Sequence, residues 1–200
     1  DCGLVGKLHI CAAFEFDEAK KDSYPRIEPR ADDGYRVFEW NHDPINRWPG
    51  GDDYHDWIDQ QGVDLEALRK AGEIPPELHQ STWCADRAID FIDHQGQSPW
   101  LLSLNLFHPH GAFDVPVEAV RDRFDIDALP GPAFRESDLA MQNEYLKDID
   151  YGVSPAARWP GEIEDTYLNG FCGRLGELPG DPSKRFQAAY WVTVEQVDQQ

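Results

Sequence analysis

The sequence predicts an α/β fold, and three observations carry that expectation. A short apolar run near the start, within residues 3–12, reads as a buried strand running into a loop. A second apolar run, Trp100 to Phe107, is continuous rather than alternating, as in a strand covered on both faces of a parallel sheet. Between the two the pattern turns helical, most clearly over residues 82–95. Strand, loop, helices, strand is an α/β order.

The first strand is GLVGKLHICA, residues 3–12. From Phe14 to Gly51 come charges, aromatics and turn formers: Tyr24-Pro25, Glu28-Pro29, Asp32-Asp33-Gly34, Asp43-Pro44 and Pro49-Gly50-Gly51. With no sustained period, this stretch is expected to be a loop-rich excursion over about 14–51. Asp52 and Asp53 then suit a helix N-terminus, ahead of Tyr54, Trp57 and Ile58 at helical spacing, with Gly62 as the stop. A second short helix is expected from Asp64 to Ala71, closed by Gly72 and followed by Pro75-Pro76.

In the helix at 82–95, Ala85, Ala88, Ile89 and Ile92 fall at i, i+3, i+4 and i+7, with Asp86, Arg87, Asp90 and Asp93 off that stripe. Ser81 or Thr82 is expected to cap its start and Gly96 its end. Ser98-Pro99 turns the chain into the strand from Trp100. The region 117–187 is a second irregular excursion, broken by prolines at 130, 132, 155, 160, 179 and 182, with a helical pattern over Leu139–Lys147. Ala188 to Val197 has Tyr190, Val194 and Val197 at helical spacing, but its β-branched content leaves a strand as the alternative.

Composition narrows the function classes. The 38 acidic and 18 basic residues give a formal charge of -20, which repels phosphate backbones and argues against nucleic-acid binding. An anion site on such a chain needs positive groups gathered locally. No run approaches the roughly 20 apolar residues of a membrane span. The four cysteines (Cys2, Cys11, Cys84, Cys172) lack C-x-x-C spacing; buried free thiols are expected, with a disulfide of Cys2 with Cys11 or involving Cys172 as the alternative. The chain opens at Asp1-Cys2-Gly3 without an initiator methionine and stops after a periodic segment, so residues 1–200 are expected to be an internal fragment of a longer protein.

Two clusters carry chemistry. Lys7 and His9 are two apart, sharing one face of an extended chain at a strand's end, and so pair a fixed cation with an imidazole that titrates near neutrality. The alternative is an edge strand with two solvated polar residues. His108-Pro109-His110 follows the second strand, where loops concentrate site residues. No H-e-x-x-H or Cys/His set completes a zinc site around these histidines, and no D-x-D-x-D-G calcium loop is present, which leaves Asp32-Asp33-Gly34 as a turn. Trp40, His42, Trp48 and Trp57 are further pocket-lining candidates, although packing is the commoner fate of a tryptophan. Nucleophile-elbow, Walker and dinucleotide motifs are all missing.

Taken in order, these segments resemble the sulfatase family. Gly6-Lys7-Leu8-His9-Ile10 is similar to its G-K-W-H-L segment, and Thr82–His94 with Pro99–Phe107 resembles its T-x-x-x-x-x-x-A-I-x-F-I helix and following P-F-F-L-type strand. Pro109-His110 with Phe113 resembles the P-H-x-P-F loop, and Ala188-Ala189-Tyr190 to Asp198 the Y-Y-A-x-V-x-x-x-D helix, which favours helix there. The resemblance implies an alkaline-phosphatase-like mixed sheet flanked by helices, incomplete in this chain, and hydrolysis of a small-molecule or glycan sulfate ester. It implies that Lys7 holds the sulfate and the formylglycine hydrate, that His9 bonds that hydrate and assists sulfate release, and that His110 contacts the sulfate and protonates the leaving oxygen. His108 is an accessory candidate.

The resemblance also implies a formylglycine upstream of residue 1, a divalent ion (calcium in the family) with ligands outside residues 1–200, and a periplasmic or secreted setting. The chain has no C/S-x-P-x-R motif, Leu8 stands where the family has Trp, and Gly111-Ala112 replaces x-Pro before Phe113. A phosphonate or phosphate monoester hydrolase of the same superfamily is the nearest rival reading. An inactive binder of sulfated glycans is another.

Overall fold

A computed structural model describes residues 1–9, 33–47, 51–72, 74–111, 115–131 and 180–200, with isolated positions at 113, 133, 135, 137–138, 140–141 and 177–178. They fall in two compact units. The first comprises Asp1–Leu68, Ile74–His110 and Glu195–Gln200, the second Arg69–Glu73 and Gly111–Val194.

The first unit is mixed α/β. Its elements are β1 (Cys2–Gly6), β2 (Val37–Trp40), α1 (Asp53–Gln61), the first part of α2 (Leu65–Ala71), α3 (Gln80–Asp93) and β3 (Leu101–Asn105). The strands form a three-stranded parallel sheet in the order β2-β1-β3, with Gly6 paired to Trp40 on one side and to Asn105 on the other. The chain therefore winds from β1 to β2 in one direction and crosses to the opposite side for β3. In open parallel sheets a ligand crevice lies outside the carboxyl ends of the strands at such a reversal.

Central β1 is covered on both faces, as its unbroken apolar run requires. Leu4 packs with Trp40 against Leu8, Tyr35 and Phe38. Val5, pointing the other way, joins Tyr54, Ile58, Leu65, Ile74, Trp83 and Cys84. Each such buried side chain contributes about 1.5–3 kcal/mol. Gly3 lets α3 approach: a Cβ there would lie 2.5 Å from the Phe91 ring.

Both short helices start and stop where their end residues dictate. Asp52 caps α1 by accepting from the His55 N–H at 3.0 Å, and Gly62 closes it at φ 70°. Asp64 accepts from the Ala67 N–H at 2.9 Å at the start of α2. The third helix departs from expectation. It begins at Gln80 behind His79, and its buried residues are Gln80, Ser81, Trp83, Cys84, Ala88 and Phe91, whereas Ile89 and Ile92 are exposed. Ser81 and Thr82 do not cap it, because the Ser81 hydroxyl faces His108 and the Thr82 hydroxyl donates to the Pro76 carbonyl at 2.7 Å. His94 rather than Gly96 ends it.

Two further corrections concern strands. β2 arises inside the stretch expected to be loop: four residues, Val-Phe-Glu-Trp, are too short to show a period but pair in parallel with β1. β3 was expected to be buried on both faces, yet Leu101 and Leu104 are exposed among the described residues, because β1 occupies one side of the strand and α3 packs on part of one face.

The second unit contains α4 (Val117–Arg123), a single 3-10 turn at Ile126–Ala128 and most of α5 (Pro182–Asp198). Its core joins Phe113, Val115, Val117, Val120, Ile126, Leu178, Ala188, Ala189 and Val192. The last segment is thus helical, buried through Ala188, Ala189 and Val192, while Tyr190 and Val194 are exposed. Cys84 is a buried free thiol, but Cys2 is an exposed one. Cys11, Cys172, Trp48, Asp32 and nearly all of Leu139–Lys147 lie outside the described residues. Among those described, no helix is long and apolar enough to cross a membrane.

Candidate functional site

The site is built where the three strands end. Gly6 has φ 96°, and a Cβ there would lie 2.1 Å from the Asn105 carbonyl oxygen, so only glycine allows β1 to leave the sheet this close to β3. Two bonds carry the pairing one residue further. The Lys7 N–H donates to the Asn105 carbonyl at 2.8 Å, and the Asn41 N–H donates to the Gly6 carbonyl at 3.1 Å. The segments that follow, Lys7–His9, Asn41–Asp43 and Leu106–His110, therefore leave adjacent strand ends.

Phe107 joins two of them. The Lys7 ammonium lies over its ring, 4.6 Å from the centroid, and the His110 ring packs on it at 4.7 Å between centroids. Phe107 is itself fixed, because its N–H donates to Oε1 of fully buried Gln80 at 3.1 Å and its carbonyl accepts from the His110 N–H at 3.1 Å. Partial burial lowers the Lys7 pKa, and the charge of Asp43 opposes that shift.

His9 is exposed and meets His42 edge to face, with ring centroids 4.6 Å apart and planes at 89°. The Trp40 indole, 6.1 Å from His42, donates to the Leu8 carbonyl at 3.1 Å and so ties the Lys7–His9 segment to the end of β2. Burial pushes the His42 pKa down to about 4, helped by the positive charges of Lys7 and His9 and opposed by Asp43 and Asp52. The Asp43 carboxylate is engaged by its own turn: Oδ1 accepts from the Ile45 N–H at 2.7 Å and Oδ2 from Asn46 Nδ2 at 3.2 Å.

Behind the site is a second polar cluster. Asp52, wholly buried, accepts from Asn41 Nδ2 at 3.0 Å on both oxygens, and His55 Nδ1 lies 2.9 Å from its Oδ1. The Trp40 N–H donates to Asp53 Oδ2 at 2.6 Å. The first turn of α1 thereby anchors the end of β2.

Lys7, His9 and His110 thus sit at one edge of one sheet, with Lys7 and His110 sharing Phe107. His108 turns inward instead: it is buried, with Nδ1 3.4 Å from the Ser81 hydroxyl and its ring 5.8 Å from that of His79, which makes it part of the α3–β3 junction. Sequence reasoning assigned no role to Phe107 or Asp43 and treated His42 only as a pocket-lining candidate. Its signal, a position two residues past a strand end, depends on seeing β2. A cation among imidazoles on so acidic a chain suits an anion. The described residues do not fit a divalent ion: none of their His, Cys, Asp and Glu side chains gather in groups of three or more that could hold one. No protein-family model matches the chain, and no curated protein matches it.

Proposed function

We propose that this strand edge is part of the pocket of a sulfate monoester hydrolase with an alkaline-phosphatase-like fold. The observation that carries the reading is the meeting of Lys7 and His110 on the Phe107 ring, from strands far apart in sequence, with His9 on the same loop as Lys7. This agrees with the order in which the G-K-x-H and P-H segments resemble sulfatases.

In this reading Lys7 holds the sulfuryl oxygens and neutralises charge that builds on them as the sulfur–ester-oxygen bond breaks. A new bond from the nucleophile to sulfur replaces the ester bond, whose electron pair leaves on the ester oxygen, and His110 supplies the proton that turns it into an alcohol. His9 bonds and orients the nucleophile, which would be a formylglycine from a C/S-x-P-x-R segment outside residues 1–200, and assists the release of sulfate. A divalent ion, if bound as in that family, would draw its ligands from outside these residues and would polarise the sulfuryl oxygens. A sulfate monoester carries one negative charge, a phosphate monoester nearly two at neutral pH, so a chain of net charge -20 repels the phosphate more strongly.

The test is hydrolysis of p-nitrophenyl sulfate, phosphate and phenylphosphonate by the intact protein and by its Lys7→Ala and His110→Ala variants. Sulfate turnover is expected to exceed the others, and each variant to lose at least ~2 kcal/mol of transition-state stabilisation in kcat/KM, roughly 30-fold. Preferred turnover of a phosphorus ester selects the rival hydrolase. Binding of sulfated glycans without turnover selects the inactive relative. Unchanged turnover in both variants removes the site assignment.

A further inference from the structure

We infer that His42, delivered by β2, is a further binding residue of this pocket, donating a hydrogen bond to the bound anion alongside Lys7 and His9. The inference rests on the anion-pocket reading above and adds the third strand to it. β2, β1 and β3 are parallel neighbours whose carboxyl ends align at Trp40, Gly6 and Asn105. Lys7 and His9 follow β1, Phe107 and His110 follow β3, and His42 follows β2. Its ring stands edge-on to His9 at 4.6 Å, and the bond from Trp40 to the Leu8 carbonyl holds the two segments together.

The groups around His42 give it a defined response to a ligand. From β1 it faces the positive charges of Lys7 and His9, from its own turn Asp43, and from the start of α1 Asp52. Asp52 is committed to Asn41 and to the N-terminus of α1, and Asp43 to the backbone of its own turn. Burial and the two positive neighbours outweigh these two carboxylates and keep His42 neutral. An anion bound against Lys7 and His9 reverses the sign of that field: it cancels their repulsion and attracts a proton to the imidazole. Sulfate binding is therefore coupled to proton uptake at His42, and the protonated ring donates to the anion.

The experiment follows the histidine ring signals of the intact protein by NMR from pH 3 to 8, with and without saturating inorganic sulfate. Alongside it, calorimetric titration with sulfate is run at about pH 5.5 in two buffers of different ionisation enthalpy. The His42 midpoint is expected to rise from about 4 by at least roughly one pH unit on sulfate binding. His42→Gln is expected to take up fewer protons on binding and to bind sulfate about three- to tenfold more weakly at pH 5.5. The NMR arm needs no variant, so a misfolded His42→Gln leaves the test intact. An unmoved His42 midpoint in saturating sulfate overturns the assignment even where Lys7→Ala abolishes binding, and the anion reading then stands without His42. Absence of saturable sulfate binding at any pH removes the anion reading and this inference together.

Discussion

Two clusters flank the end of β2, and each combines histidine with charged residues. In the cluster of Asp52, Asn41 and His55, one carboxylate accepts from a side-chain amide and a helix N–H, with an imidazole nitrogen close by. In the cluster of Lys7, His9 and His42, burial and the positive charges of Lys7 and His9 raise the cost of charging His42. The first arrangement pairs a negative charge with donors and ties the start of α1 to the end of β2. In the second, Asp43 and Asp52 oppose the cost of charging His42 without outweighing it, and a bound anion would shift that balance. Burial alone does not separate structural from functional polar groups; the sign of the interactions within a cluster does.

That contrast breaks most readily at Asp52. Asp52→Ala removes a helix cap, about 1 kcal/mol, and leaves the buried Asn41 amide with only its bond to the Asp43 carbonyl, a further 1–3 kcal/mol or so. Urea denaturation should therefore show a loss of about 3 kcal/mol. Lys7→Ala should shift the same measurement by no more than ~0.5 kcal/mol while abolishing sulfate binding. Equal losses of stability in the two variants would erase the distinction.

A pH series sharpens it. His42 titrates near 4 in the folded chain against an ordinary 6.5, so below about 6.5 the unfolded chain binds the extra proton. The stability that goes with neutral His42 is present above pH 6.5 and is lost as the pH falls through about 4. Wild-type stability should decline across that window more steeply than that of His42→Asn, with parallel curves above it. Parallel curves throughout would mean that His42 does not feel its neighbours. The smallest effect concerns the thiols: burial pushes Cys84 up, whereas Cys2 is exposed. Iodoacetamide at pH 8 should label Cys2 in the native protein and reach Cys84 only on unfolding, as read by peptide mass mapping.

The sequence was most legible where the chain reports its own ends. Asp52, Gly62 and Asp64 mark α1 and α2 because capping is local chemistry. It was least legible where partners decide. On α3 two apolar stripes compete, Ala85-Ala88-Ile89-Ile92 and Trp83-Cys84-Ala88-Phe91, and only the approach of α3 over Gly3 and Val5 selects the second. β2 has no pattern of its own and exists because β1 offers it a ladder. The candidate site divides the same way. Lys7, His9 and His110 stood out through their setting after apolar runs, whereas His42 gained meaning only from its neighbour on the next strand.

Because Gly6 links Trp40 and Asn105 across the sheet, the groups proposed to face an anion depend on pairings between distant parts of the chain. Ligand occupancy and sheet integrity then draw on one equilibrium. An anion bound at this edge would act as a non-covalent staple across three strands, raising the melting temperature in proportion to the logarithm of its concentration. The same linkage runs backwards: a substitution beneath β1, such as one enlarging Gly3 against Phe91, would weaken anion affinity without touching the pocket, by thinning the population in which the strand ends are aligned.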